Sequence, residues 1–258
     1  MMWELVQDSA RSVLAAMEGM VVPAFFFLML GLATKGRTLL QEVRRALPES
    51  SLNVQIAIFN LILIVPLLAL SSQAMSALVN RYELGLVEPG LWSALPAPLV
   101  ILLGVFLGDF VGYWRHRLEH TPLLWPSHAV HHSDTEMTWL TLERFHPINR
   151  ATTFFIDGSA LLILGLPPYA VFAYYFVRHY YGFFVHADLP WTYGKLGRVF
   201  VSPVMTAGIT LRTQTSSRPT LRRSSPASIR PSAPTRCLDP APRPWASPMT
   251  WARPSPGR

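Results

Sequence analysis

A chain of 258 residues that is 50% hydrophobic and only 14% charged is too apolar for an ordinary soluble domain. Its long uncharged runs call for a membrane, since one span takes about 20 mostly apolar residues. The single cysteine, Cys237, excludes an intrachain disulfide and any cysteine-rich zinc or iron–sulfur site, so a bound metal must rest on nitrogen and oxygen.

In chain order, the first predicted span covers residues 19–34, extended backwards by 14–17. Glu4, Asp8 and Glu18 outweigh Arg11 ahead of it, the wrong balance for a cleaved signal peptide, so the span is expected to stay as an uncleaved anchor. Lys35, Arg37, Arg44 and Arg45 follow and mark their loop as cytoplasmic under the positive-inside rule. A second span covers 54 to about 78. The loop after it, with Arg81 against Glu83 and Glu88, then falls outside, and a third span at 91–113 returns to the cytoplasm. Residues 152–185 are long enough for two passes. Leu166-Pro167-Pro168 divides them, because proline cannot continue a helix interior, and a helical hairpin that dips in and returns is predicted.

Six of the eight histidines lie between Asp109 and His146, and the other two are His179 and His186. His116 and His120 form H-x3-H; His128, His131 and His132 form H-x2-H-H. On a helix, residues three or four apart share a face, so each group can offer several imidazoles to one point. Imidazole is a ligand for iron, zinc, copper and nickel. Five histidines within 17 residues exceed what one tetrahedral zinc needs and favour two metals. The span count brings His116 and His186 to the same membrane face.

Residues 206–258 differ in kind. They hold nine Arg, no Lys, one acid and ten of the 23 prolines, for a charge of +8, whereas residues 1–205 carry −1. Such a composition buries too little surface to fold, and a disordered basic tail is expected.

Asp109-x3-Tyr113-x2-His116-Arg117-x2-His120, followed by His128-x2-His131-His132, resembles the sterol desaturase / fatty acid hydroxylase superfamily of membrane di-iron oxygenases. Arg144-Phe145-His146-Pro147 is similar to its R-x-H-P segment. His186-Ala187-Asp188-Leu189 is similar to its H-A-N-L segment, with Asp188 for the usual Asn. Val201-Ser202-Pro203 is similar to the S-P ahead of a final H-x2-H-H box. The likeness covers roughly residues 90–205. It implies an all-α integral membrane helical bundle of about four membrane-embedded segments, with a histidine-rich metal site on the cytoplasmic face. The expected organisation is N-terminal transmembrane helices at 1–90, a hydroxylase-like catalytic region at 91–205 and the tail at 206–258.

The resemblance also implies O2-dependent hydroxylation or desaturation of a fatty acyl or sterol-like lipid. The expected cofactors are two iron ions, with zinc an alternative in purified protein, and O2 is the co-substrate. Expected partners are the lipid, the membrane and an electron-donating cytochrome or ferredoxin with its reductase, and no nucleic acid. The expected place is a bacterial inner membrane. His116, His120, His128, His131, His132 and His186 are the expected ligands, with no catalytic residue beyond them. His146, His179 and Asp109 are read as further ligands or as groups that hold the ligands. Asp109 and Glu119 are candidate carboxylates for fixing imidazole tautomers, although Glu119 reads better as a solvated interface residue. Tyr174, Tyr175, Tyr180 and Tyr181 read as interface aromatics. The rival readings are a hydroxylase of a carotenoid or an alkyl glycerol ether, and a non-catalytic metal-binding membrane protein.

The departure from the family lies after Met205, where H-R-x-H-H is expected and Thr206-Ala207-Gly208-Ile209-Thr210 stands. A His codon is CAT or CAC, and loss of one base upstream leaves only Ile, Met or Thr at that place. The positions that should be His are Thr206, Ile209 and Thr210. The family's F-G-T-Y, shifted the same way, becomes Ser-Ala-Pro-Thr, which is Ser232 to Thr235. Residues from about 206 onwards therefore read as out-of-frame translation, and the activity of the chain as impaired.

Overall fold

The computed structural model describes residues 2–217. Among these the architecture is all helical. The chain runs through α1 (Met2–Lys35), α2 (Leu39–Phe59), α3 (Val65–Arg81), α4 (Pro89–Ser93), α5 (Ala97–Glu119), α6 (Trp125–His131), α7 (Pro147–Thr152), α8 (Ser159–Ile163), α9 (Pro168–His186) and α10 (Pro203–Ser217), with short 3-10 and π segments between. Two stretches, Leu14–Arg81 and Ala97–Glu119, are long and apolar enough to cross a membrane. Val21, Val22, Phe25 and Phe26 of α1 and Leu102 and Phe106 of α5 stand exposed, as suits side chains that face lipid.

Proline and glycine set the breaks. Pro66 lacks an N–H and its ring crowds the carbonyl four residues back; the helix absorbs this in a π segment, Asn60–Ile64, that joins α2 to α3. The third span starts later than expected, at Ala97 rather than 91, because Pro96 caps α5 and the preceding residues close separately as α4. The hairpin expected around 166–168 is present. Gly165 takes φ +61°, which residues other than glycine rarely adopt, and Pro167 caps α9. Leu86 N–H donates to Ile163 O at 2.8 Å and Trp92 Nε1 to Leu164 O at 2.9 Å, which fastens the α3–α5 loop to the hairpin tip.

α5 and α9 form the central pair. Gly104, Gly108 and Gly112 make a bare stripe at four-residue spacing, against which Ala170, Tyr174 and Arg178 of α9 lie. A methyl group at Gly104 would come 3.4 Å from Ala170 Cβ, and one at Gly108 would overlap the Tyr174 ring. Small residues in register let two helices approach closely, and here they admit a tyrosine to the middle of the bundle. Tyr174 is 1% exposed, so it is a core residue and not the interface aromatic expected from its neighbours.

α2 holds the loop after α6 through a polar seam. Asn53 Nδ2 donates to Asp134 Oδ2 at 2.8 Å and Asn60 Nδ2 to Phe145 O at 2.8 Å. Arg144 pairs with Glu49 and donates to Asn53 Oδ1 at 3.2 Å, and Arg45 meets Glu136 at 2.8 Å. The seam joins residues on either side of position 90. Residues 206–217, expected as the start of the tail, continue the helix that opens at Pro203; positions 218–258 lie outside the described residues.

Candidate metal centre

Histidines from three segments meet at one end of the bundle. His116 comes from the last turn of α5 and His120 from its C-cap, His128, His131 and His132 from α6 and its C-cap, and His186 from the last residue of α9. One nitrogen from each of His116, His120, His128 and His132 falls within 4.8 Å of the others. The Nε2 atoms face each other in pairs: His116 and His120 at 3.1 Å, His128 and His132 at 3.1 Å, His131 and His186 at 3.1 Å. The His131 ring lies 5.4 Å from that of His132 and 5.7 Å from that of His128, so the third pair adjoins the first two. His128, His131 and His132 are buried, while His116 and His120 are open on one side.

The protonation states suit ligands. A facing pair of imidazoles at hydrogen-bond distance either shares one proton or turns two lone pairs on a common guest. Burial, reinforced by the neighbouring imidazoles, pushes His128 down to about 2 and His132 down to about 3. His131 is held well below its ordinary value for the same reasons. All three are therefore neutral at physiological pH. His186 Nδ1–H donates to Gly182 O at 2.7 Å, which leaves its Nε2 lone pair directed at His131. The Asn149 amide nitrogen lies 3.0 Å from His128 Nδ1, and the amide oxygen has no hydrogen-bond partner among the described residues. With that oxygen turned to the ring, Nδ1–H donates to it and His128 Nε2 keeps its lone pair, the tautomer a metal requires.

The other candidates stand apart. His146 caps α7, its Nδ1 accepting from Ile148 N–H at 3.2 Å. It lines a cavity of about 290 Å³ with Gln55, Ile56, Phe59, Val130, Phe145 and Pro147. His179 packs its ring on Phe183 at 4.3 Å and on Tyr180 at 5.6 Å. Asp109 is exposed and meets Arg178 Nη1 at 3.3 Å. Asp188, at the position where the family has Asn, pairs with Lys35 at the end of α1.

Glu119 reverses its expectation. It is 1% exposed, accepts from Arg115 Nη1 at 2.7 Å and from the Thr152 hydroxyl, and lies 3.5 Å from His128 Nδ1. A charged residue at the very end of an apolar helix looks solvated in sequence; the buried Arg115 one turn earlier is what lets it turn inward. Sequence reasoning also passed over Asp157, Asn149 and Arg115. The available signal was an acid, Asp157, inside an otherwise apolar run, since ionisable residues at membrane depth face the protein interior.

Residues 101–207 match the fatty acid hydroxylase family model. This part of the chain is similar to a fatty acid hydroxylase domain. A segment of 109 residues is 29% identical to "Ornithine lipid hydroxylase OlsE" of Rhizobium tropici, covering 42% of this chain and 33% of that protein. The match thus spans about a third of the curated relative's length. No solved structure matches the chain. The matched region contains His116, His120, His128, His131, His132 and His186, and its last residue falls within α10.

Proposed function

We propose that the chain is built to hydroxylate a lipid C–H bond with O2 at a pair of irons. The observation that carries this reading is the convergence of six histidines into three facing pairs. His116, His120, His128 and His132 would hold one iron, and His131 and His186 contribute to the other. Redox iron with open positions supplies O2 activation, which amino-acid side chains cannot perform alone. The chain's own residues do the rest. Burial keeps His128, His131 and His132 neutral, Gly182 and Asn149 fix imidazole tautomers, and the open His116–His120 side leaves a way in. The lipid class is a fatty acyl chain or a lipid that carries one; the likeness to an ornithine lipid hydroxylase supports an acylated polar lipid. The electron donor is a cytochrome or ferredoxin with its reductase, and the histidine end faces the cytoplasm of a bacterial inner membrane.

The second iron lacks partners in this chain. Thr206, Ile209 and Thr210 stand where a final H-x2-H-H is expected, on α10, which Tyr181 ties to α9 by donating to Val201 O at 2.6 Å. We read residues from about 206 onwards as out of frame and the centre as impaired. The test is metal content and oxygen consumption of purified protein, as it stands and with the reading frame restored. About two irons and lipid-dependent O2 uptake in the restored protein support the proposal. Redox-silent zinc at full occupancy with no O2 uptake overturns it in favour of a non-catalytic metal protein.

A further inference from the structure

Behind the histidines runs a buried chain of polar groups that the ligand set does not include. The Tyr174 hydroxyl is directed at Asp157 Oδ2 at 3.4 Å, and Asp157 Oδ1 accepts from Arg115 Nε at 2.9 Å. Arg115 Nη1 donates to Glu119 Oε2 at 2.7 Å, and that same oxygen lies 3.5 Å from His128 Nδ1. Tyr174, Asp157, Arg115, Glu119 and His128 are each 6% exposed or less. Local geometry makes this possible. Arg115 and Glu119 are one turn apart on α5, and Asp157 sits in the π segment Thr153–Gly158, whose wider turn shifts the register of a side chain relative to an α-helix.

Two carboxylates share one guanidinium here. A buried charge needs a partner, and Arg115 alone leaves one carboxylate charge unbalanced. The next group along the chain is His128. Resting on the metal-centre reading above, we propose that Glu119 is the positioning residue of the centre. Its carboxylate charge lies against the Nδ1 edge of His128, where Asn149 makes the hydrogen bond; Thr152 and Arg115 hold Glu119, and the excess negative charge of the Glu119–Arg115–Asp157 group is answered by a cation bound among the histidines. Tyr174, admitted by Gly108, closes the far end of the chain.

The test uses the full chain in detergent, stripped with a chelator and titrated with cobalt(II) alone, whose visible bands report the coordinating nitrogens. E119Q keeps the shape of the side chain and removes its charge. It should bind cobalt about 10–100-fold more weakly, the usual effect of losing a group that holds a ligand, with altered visible bands. D157N should weaken binding in the same direction by less. Stripped E119Q should melt no lower than the stripped parent, because it sheds an unbalanced charge; a merely structural role predicts the opposite, a lower melting temperature with cobalt affinity unchanged. Cobalt binding by the parent with equal affinity in E119Q overturns the positioning role alone, whereas a parent that binds no cobalt overturns the metal-centre reading itself. An E119Q protein that does not fold overturns the excess-charge argument. T152V, which removes only the hydroxyl on Glu119, then decides the positioning role: several-fold weaker binding upholds it and unchanged binding overturns it.

Discussion

His131 and His186 are 55 positions apart in the chain, yet their Nε2 atoms face each other at 3.1 Å. Gly182 O fixes the tautomer of one ring, and Phe145 stacks on the other at 5.0 Å and an interplanar angle of 10°. Replacing either His131 or His186 by Ala should remove most of the metal bound at this end of the centre, measured by elemental analysis of purified protein. His179→Ala should change metal content little, since that ring packs on Phe183 and Tyr180. Equal metal in H131A and the parent would remove this pair from the site.

The glycine stripe gives a second expectation. Gly108→Val forces a branched side chain into the ring of a fully buried tyrosine, and overpacking of this kind costs about 1–3 kcal/mol. Gly112→Ala meets the Arg178 guanidinium, the far end of a flexible and partly exposed side chain, and should cost much less. Thermal melting in detergent should place G108V well below the parent and G112A close to it. The reverse order would mean that α5 and α9 do not pack through Tyr174.

Stability of the metal-free protein should depend on pH in a defined direction. His128 and His132 stay neutral in the folded state until about pH 2 and 3, whereas in an unfolded chain they take up protons below about 6.5. Between those values the unfolded state binds more protons, so stability rises with pH. It is fully present above 6.5 and is lost as pH falls, by roughly 2 kcal/mol per imidazole at pH 5. Melting of chelator-treated protein from pH 8 to 5 should be flat and then fall, and replacing both residues by Asn should make the fall shallower, with His131 among the groups that supply the remainder. A slope left unchanged in that variant would assign it wholly to other groups.

Topology offers a fourth check. Arg45 and Glu136 are in contact at 2.8 Å, so reporters fused after residues 45 and 135 should appear on the same membrane face, the cytoplasmic one. A reporter near Glu83, at the hairpin-tip end, should appear on the other. Opposite faces for 45 and 135 would contradict the contact.

The frame reading is checked on nucleotides. One base inserted after the Met205 codon should open a frame that reads H-R-x-H-H at once and F-G-T-Y about 22 residues past it, counted from the matching positions Thr210 and Ser232. A coding sequence in which no single-base insertion yields those histidines would make Thr206, Ile209 and Thr210 genuine residues of α10.

Much of this was legible in the residues themselves. Apolar runs and Leu166-Pro167-Pro168 define the helices and the hairpin, and the spacing of His116 with His120 and of His128 with His132 puts each pair on one turn. What spacing does not contain is partner choice. Nothing local distinguishes a solvated Glu119 from a buried one; that depends on Arg115, Thr152 and Asp157 arriving from three directions. Tyr174 was misjudged for the same reason, because its burial depends on the absence of a side chain at Gly108, on another helix. Pro96 moved the start of α5 because a hydropathy run does not register a break in hydrogen bonding.

The seam between α2 and the loop after α6 bears on how this chain can be cut down. The matched domain begins at residue 101, but Asp134, Arg144 and the Phe145 carbonyl take partners from Asn53, Glu49 and Asn60. A segment expressed from 101 onwards would strip these partners away at about 1–3 kcal/mol for each group left buried. The loop that carries His132 at one end and His146 at the other would lose its floor. The amino-terminal helices are therefore a scaffold for the histidine end as much as a tether to lipid, and a minimal working unit has to include them.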